Sequence, residues 1–151
     1  VSHVNKRASG VAVLYGNSIL LAKRIEFWGE EKVPVPYGGY WSIFGGTIED
    51  GENPMVCAIR ELEEEAQIKI AISDLKYVKT VQDDGVEFVF YVTELRELVN
   101  PILNDEHTES GWFSIDSLSD FHDKIDPKIV ECIHLYKKEG WPSIPWNDLP
   151  F

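Results

Sequence analysis

The chain has 151 residues and a mass of 17.2 kDa, a length that suits one domain spanning 1–151. Its residues are 44% apolar, with 5 Trp, 6 Tyr and 7 Phe, enough core-forming material to exclude wholesale disorder. Against 26 Asp and Glu stand only 14 Lys and Arg; a formal charge of −12 argues against bulk electrostatic binding of nucleic acid or of an anionic membrane, so a polyanionic substrate would need an added cation.

In chain order, 10–15 (GVAVLY) reads as a strand, Gly16-Asn17 as a turn and 18–24 (SILLAKR) as the partner strand. Residues 25–40 form a long irregular stretch rich in Pro, Gly and aromatics, and loops of this length are frequently functional. A short strand at 40–44 leads into Gly45-Gly46. A helix follows, with Asn53 as its cap, Pro54 in the first turn, and Met55, Ala58, Ile59, Leu62 and Ala66 forming an apolar stripe. Two strands at 75–82 and 86–95 flank the hairpin signal Asp83-Asp84-Gly85. Residues 102–111 are polar and read as a loop, 112–115 as a short strand, and Asp116 as the cap of a brief helix. The last helix takes Asp126 as cap and Pro127 as its start, turns Ile129, Val130, Ile133 and Tyr136 inward, and has Gly140 just past its end. The tail, 141–151, reads as extended chain lying on the domain or on a partner. Irregular alternation of strands and helices predicts an α/β sandwich with a mixed sheet.

Cys57 and Cys132 are 75 positions apart in no C-x-x-C pair, so free buried thiols are expected. No apolar run reaches membrane-spanning length, and residues 1–7 lack the apolar core of a secretory leader; the expected compartment is the cytoplasm.

The acidic helix carries the chemistry. Steps of about 100° per residue place Glu61, Glu64 and Glu65 within roughly one 100° arc that borders the apolar stripe. Like charges so spaced repel, and Arg60, four residues before Glu64, can neutralise one of them. The remainder calls for solvent or a cation. Clustered carboxylates are hard ligands that suit Mg²⁺ or Mn²⁺. Glu52, at the helix entrance, can bond backbone N–H groups or Arg60. Gly45-Gly46 permits close approach of the backbone, where a free carbonyl could add an oxygen ligand.

The spacing Gly46, five residues, Glu52, seven residues, Arg60-Glu61-Leu62, one residue, Glu64-Glu65, then Ile68 resembles the Nudix box. Gln67 departs from it, standing where the family usually has a helix-ending Gly. The order of surrounding elements is also similar, which implies a Nudix-type α/β/α sandwich. The resemblance implies a pyrophosphohydrolase that uses Mg²⁺ or Mn²⁺ to cleave a nucleoside diphosphate linked to another moiety. It implies metal ligation by Glu64, Glu65 and the Gly45 carbonyl, with Glu61 as ligand or water-activating group and Arg60 and Glu52 as orienting residues. A further acid a few residues before a Trp is a family pattern; Glu106 matches as ligand or general base, with Glu109 second.

Arg24 and Lys23 end a strand expected to face the cleft, and one of them is expected to contact phosphate. Trp28, Tyr37, Tyr40 and Trp41 flank the box and could supply the flat apolar wall that a base needs, with Tyr40 and Trp41 the expected substrate contacts. His107 is a candidate for proton transfer. The expected partner is a small-molecule nucleotide, with a nucleoside triphosphate or nucleotide sugar favoured. Asp83-Asp84-Gly85 stands where ADP-ribose members carry a proline, and the missing basic surface disfavours capped RNA. Dimerisation is common in the family, so the tail serves as a homodimer contact or as a lid. The alternative is a non-catalytic Nudix-fold module that senses nucleotides or binds a partner.

Overall fold

The computed structural model describes residues 6–139. Gly140 and the 141–151 tail, with the expectations attached to them, lie outside the described residues. The elements are strands β1 (Lys6–Tyr15), β2 (Ser18–Arg24), β3 (Phe27–Trp28), β4 (Val33–Pro34), β5 (Trp41–Ser42) and β6 (Phe44–Thr47), and helix α1 (Pro54–Ala66). They continue with strands β7 (Lys76–Asp83), β8 (Val86–Glu94) and β9 (His107–Ser114), and helix α2 (Pro127–Glu139). Short 3-10 turns at Ile72–Asp74 and Ile115–Asp120 precede β7 and follow β9.

Seven strands form one mixed sheet, with β1 running parallel to β8 and antiparallel to β2 and β6. Strand alternation divides the apolar residues between two cores. Val11, Val13, Leu20, Ala22, Val89 and Tyr91 pack with Met55, Ala58 and Leu62 of α1. Ala12, Leu14, Ile19, Leu21, Phe90 and Val92 pack with Ile129, Cys132 and Ile133 of α2. Strands covered on both faces read as continuous apolar runs, as Val11–Leu14 and Ile19–Ala22 do. The architecture is the expected α/β/α sandwich. Cys57 and Cys132 are buried and free, and among the described residues no helix is long and apolar enough to cross a membrane.

One feature of the sheet positions the site. β1 pairs with β2 only through Val13–Tyr15, and with β6 through Ala8–Val11. Beyond Leu20, β2 leaves β1 and pairs with β5 at Ala22 and Lys23, while β9 pairs with it along its whole length from Ser18 to Arg24. The chain from Trp41 to Thr47 therefore crosses from the edge of β2 to the edge of β1. Arg24, at the end of β2, and Gly45-Gly46, in β6, come to flank the opening this leaves, beside α1.

Several boundaries differ from the sequence reading. β1 begins at Lys6 because residues 6–9 gain partners in β8 and β6. The expected 40–44 strand is two short strands, and a two-stranded ribbon, β3–β4, lies within 25–40. The expected 102–111 loop ends at Glu106; its polar tail His107–Gly111 pairs with β2 as a strand whose Thr108 and Glu109 are exposed. The β7–β8 turn has Asp84 at φ 48° and Gly85 at φ 78°, the left-handed pair that a two-residue hairpin turn requires.

Candidate active site

Helix α1 starts where expected. Asn53 Oδ1 accepts from the Met55 N–H at 2.8 Å, Pro54 occupies the first turn, and Ser9 Oγ, buried in β1, donates to the Pro54 carbonyl at 2.8 Å. The helix ends at Gln67, which adopts the left-handed conformation (φ 56°, ψ 37°) and donates its N–H to the Glu63 carbonyl at 3.0 Å. The side chain that replaces the family's usual Gly is thus carried in the conformation that glycine would supply, and the helix ends with its carboxylates in register.

Arg60 organises the outer half of the acidic cluster. Its Nε and Nη2 donate to Glu52 at 2.8 and 3.0 Å, and Nη1 donates to Glu61 at 3.0 Å and to Glu64 at 3.2 Å. Glu52 also accepts the Glu49 N–H at 3.0 Å, closing the turn that enters the helix. The guanidinium, aided by that N–H, holds the Glu52 carboxyl down at about 2 despite burial.

The inner half has no such cation. Glu65 is only 3% exposed, and its Oε1 accepts the Gly45 N–H at 2.9 Å. Burial, the adjoining Glu106 carboxyl and then Glu61 push its proton affinity well above the ordinary carboxylate range. Glu61 is also raised, chiefly by burial, with Arg60 opposing and Glu64 and Glu106 reinforcing the shift. Carboxyls forced this close must bind a proton or a cation. Among the described residues no three His, Cys, Asp or Glu already stand at mutual ligand distance around one point. The donor set nonetheless fits a hard divalent ion: all-oxygen, with Glu65 buried and Glu61 half-buried, short of positive charge on its inner side, and positioned by Gly45 and Arg60.

These groups share one cleft of about 430 Å³, lined by Arg24, Gly45, Gly46, Glu61, Glu65 and Glu106, with Ile25, Trp28 and Val35 as its apolar side. Gly46 leaves room for the Glu61 carboxyl, since a Cβ there would lie 2.5 Å from the Glu61 carboxyl carbon and push that side chain aside. Glu106 reaches the cleft because its carbonyl accepts the Ile25 N–H at 3.0 Å and Asn104 Oδ1 accepts its N–H at 3.0 Å. A larger hollow of about 710 Å³ opens beside the 47–54 loop; its acids, Glu49, Asp50 and Glu52, share the lining with Lys6 and Arg7, and Glu52 is engaged by Arg60. The chemistry therefore favours the smaller cleft.

The structure gathers Gly45, Glu61, Glu65, Glu106, Arg60 and Arg24. Glu64 sits at the rim, its side chain 54% exposed and its carboxylate engaged by Arg60. Glu109 lies outside the cleft lining, at the register of Lys23. Three substrate contacts require correction. Lys23 alternates with Arg24 along β2 and so turns to the opposite face, where its Nζ meets Asp123 at 3.3 Å. Trp41 is 3% exposed in the α2-side core, edge-on to Phe113 at 5.3 Å, and its indole N–H donates to Asp123. Tyr40 packs edge-on to Tyr37 at 5.4 Å, with Lys124 over its ring. None of the three lines the cleft.

The aromatic that does line it is Trp28. It is one of the four aromatics that the sequence places around the box. His107 is buried beneath Arg24, edge-on to Phe44 at 5.2 Å. Burial, then Arg24, lowers it to about 4, against the pull of Glu106, so it is neutral near pH 7.

A family model, the NUDIX domain, matches residues 4–135. The chain is 35% identical over 86 residues to a nucleoside triphosphate pyrophosphatase/Nudix hydrolase fusion protein of Bifidobacterium longum, covering 54% of this chain and 17% of that protein. It is 29% identical over 111 residues to an NAD-capped RNA hydrolase, NudC, of Pseudomonas aeruginosa, covering 72% of this chain and 36% of that protein. A NUDIX hydrolase from Nitrosomonas europaea shares the fold, with a TM-score of 0.73 at 16% identity over 97% of this chain and 96% of that one. The chain spans little more than a third, at most, of the length of these two curated relatives. With the family model covering most of its length and the box residues grouped around one cleft, the chain belongs to the Nudix hydrolase family.

Proposed function

We propose that this chain is a pyrophosphohydrolase, dependent on Mg²⁺ or Mn²⁺, that cleaves the diphosphate of a nucleoside diphosphate linked to another moiety, with nucleoside triphosphates and nucleotide sugars as the favoured substrates. The observation that carries the reading is the meeting of Glu61, Glu65 and Glu106 in a cleft that also holds Arg24. The residues that would hold the cation are Glu61, Glu65 and Glu106, with the Gly45 carbonyl beside them and Glu64 at the rim. When bound, such an ion polarises phosphoryl oxygen and acidifies water, and it offsets the repulsion between an acidic protein and its anionic substrate.

The chain's own residues do the rest. Arg60, fixed by Glu52, keeps Glu61 aimed at the cleft. Arg24 bonds a phosphate oxygen. Gly45 and Gly46 let the phosphate approach the backbone. Attack of water on one phosphorus breaks the P–O–P bridge, the water's proton passes to the carboxylate of Glu61 or Glu106, and two phosphate-ended products leave. The two buried free thiols favour a reducing cytoplasm.

The test is a panel of nucleoside triphosphates, nucleotide sugars, ADP-ribose, NAD and NAD-capped RNA, assayed with Mg²⁺ or Mn²⁺ for released phosphate, pyrophosphate or nucleoside monophosphate. The last two substrates are included because of the NudC relative. Turnover abolished by chelator and by Glu65→Gln, with the far-UV circular dichroism of the variant unchanged, is the expected result. A blank across the panel would leave the non-catalytic binding module as the better reading.

A further inference from the structure

We propose that the β3–β4 ribbon is the nucleobase wall of this cleft, holding the base by its face on Trp28, and that the protein consequently accepts purine and pyrimidine nucleotides alike. The inference rests on the nucleotide reading above and deepens it.

The ribbon is a small apolar blade. Phe27 pairs with Pro34 and Trp28 with Val33, so Trp28 and Val33 share one face, and Val35, two residues on, continues it. Trp28 and Val35 line the same cleft as the three carboxyls. Phe27, Trp28 and Val33 are 52, 48 and 54% exposed, a concentration of large apolar surface that the fold leaves uncovered.

The blade is held in place from both sides. At its base, Ile25 donates to the Glu106 carbonyl, Val35 to the Glu26 carbonyl and Gly39 to the Arg24 carbonyl, each at 3.0 Å. Beyond it, the Tyr37 hydroxyl donates to Asp83 at 2.7 Å, and Lys128 of α2 lies 4.5 Å over the Tyr37 ring. Arg24 lines the same cleft, its buried Nε without a hydrogen-bond partner among the described residues. The cleft thus combines clustered acids, the guanidiniums of Arg24 and Arg60, and an apolar wall. A ligand complementary to all three has a metal-bound phosphate at one end and an aromatic ring at the other.

The manner of base recognition follows from what the blade carries. Its cleft-facing side chains, Trp28 and Val35, bear no carboxylate, amide or hydroxyl, and the hydrogen-bonding side chains of the lining lie on the box and on the strands flanking it. Stacking uses the π-face that every base has and is sequence-tolerant. A site built to bond a base edge discriminates by four or five orders of magnitude, and a stacking wall lacks that lever.

The experiment has two arms. Uncharged adenosine, guanosine, cytidine and uridine, whose binding needs no cation, are titrated into the ¹⁵N-labelled full chain while the tryptophan indole N–H resonances are followed; Trp28→Phe identifies the Trp28 signal. That signal is expected to move with all four, with dissociation constants within about tenfold of one another. In the second arm, Trp28→Ala raises KM for ATP, GTP, CTP and UTP by about 10- to 100-fold each, and Trp28→Phe restores most of the loss. Melting curves of both variants check that this exposed position leaves the fold intact. Discrimination above a hundredfold among bases, or KM values unmoved by Trp28→Ala, overturns the inference while the nucleotide reading stands. A wild-type chain that neither binds nucleosides nor cleaves any nucleotide overturns both.

Discussion

Arg60 is the residue on which the acidic cluster balances, and replacing it by Met isolates its electrostatic role while keeping most of the side-chain volume. Glu52 is held at about 2 against an ordinary 4.5, first by its hydrogen bonds to Arg60. At 1.36 kcal/mol per tenfold change in proton affinity, that is a ceiling of about 3 kcal/mol of native-state stabilisation at neutral pH. The Arg60 side chain is 27% exposed and that of Glu52 12%, so solvent screening reduces the share assigned to the pair to about 2 kcal/mol. The guanidinium also offsets repulsion among Glu52, Glu61 and Glu64, which the variant would restore. Arg60→Met should therefore destabilise the chain by about 2–4 kcal/mol, a fall in Tm of about 5–10 °C for a domain of this size. The sign of the pH dependence is fixed by the direction of the shift. A carboxyl whose folded pKa lies below its unfolded one contributes its stability above the unfolded value near 4.5 and loses it as pH falls through about 2. Asp83, Asp123 and Glu94 are lowered too, but wild type and variant share them, so they cancel in the difference. Urea unfolding of both proteins at pH 7, 4.5 and 2.5 should show a gap that is full at pH 7 and shrinks toward the lowest pH. A gap below 0.5 kcal/mol at pH 7, or one that persists undiminished at pH 2.5, would refute the reasoning.

Two further perturbations test different parts of the site. Gly46→Ala puts a methyl group 2.5 Å from the Glu61 carboxyl carbon, so Glu61 must move; turnover should fall by at least about 100-fold while far-UV circular dichroism stays native, and near-wild-type activity would mean that the position of Glu61 is not critical. Gln67→Gly relieves the left-handed backbone at the end of α1; strain of about 1–2 kcal/mol less the added chain entropy of glycine gives about 0.5–1 kcal/mol of stabilisation, read as a Tm rise of about 2–3 °C, and a fall in Tm would show that the Gln67 side chain contributes more than its backbone costs.

What could be read from the sequence was what is local along it. The α1 stripe, its Asn53-Pro54 entrance and the box carboxylates depend on spacings within one helix, and the helix keeps them. The β7–β8 turn depends on two residues, Asp84-Gly85, that tolerate positive φ. Errors arose where a side chain's face is set by a distant strand. Lys23 and Arg24 are adjacent, and period-two alternation allows only one to reach the cleft; that it is Arg24 follows from which face of β2 carries α1. Tyr40 and Trp41 neighbour the box in sequence, yet the chain there is crossing between two strands: Trp41 turns into the α2-side core and Tyr40 packs against Tyr37 and Lys124. Trp28 and Val35 sit on strands of two residues or beside them, too short for any periodicity to register. His107–Gly111 is polar because β9 turns much of its length to solvent, and its strand character comes from pairing with β2.

The acidic cluster also shows how the fold can hold carboxylates together against their own repulsion, as the proposed function requires. Left to themselves, Glu61, Glu65 and Glu106 would separate, since each gains hydration and loses repulsion by moving apart. They are prevented from doing so on three sides. Leu62, Ala58 and Met55, all buried, fix α1 against the sheet, so Glu61 and Glu65 cannot swing out as a pair without withdrawing that apolar face. The Gly45 N–H holds one Glu65 oxygen, and Arg60 holds one of Glu61. The hydrogen bond from Ile25 to the Glu106 carbonyl fixes the third carboxylate to the root of the β3–β4 ribbon. Truncating Leu62 alone would cost about 2–5 kcal/mol, so the helix face can sustain a crowded acid site of comparable cost. Repulsion that cannot relax geometrically is relieved by added positive charge: a proton or, under the proposed function, a divalent ion. The same bond that places Glu106 also places the ribbon, so the position of the clustered acids and the position of the apolar wall are not independent, and a substitution that loosens Ile25 should disturb both ends of the cleft together.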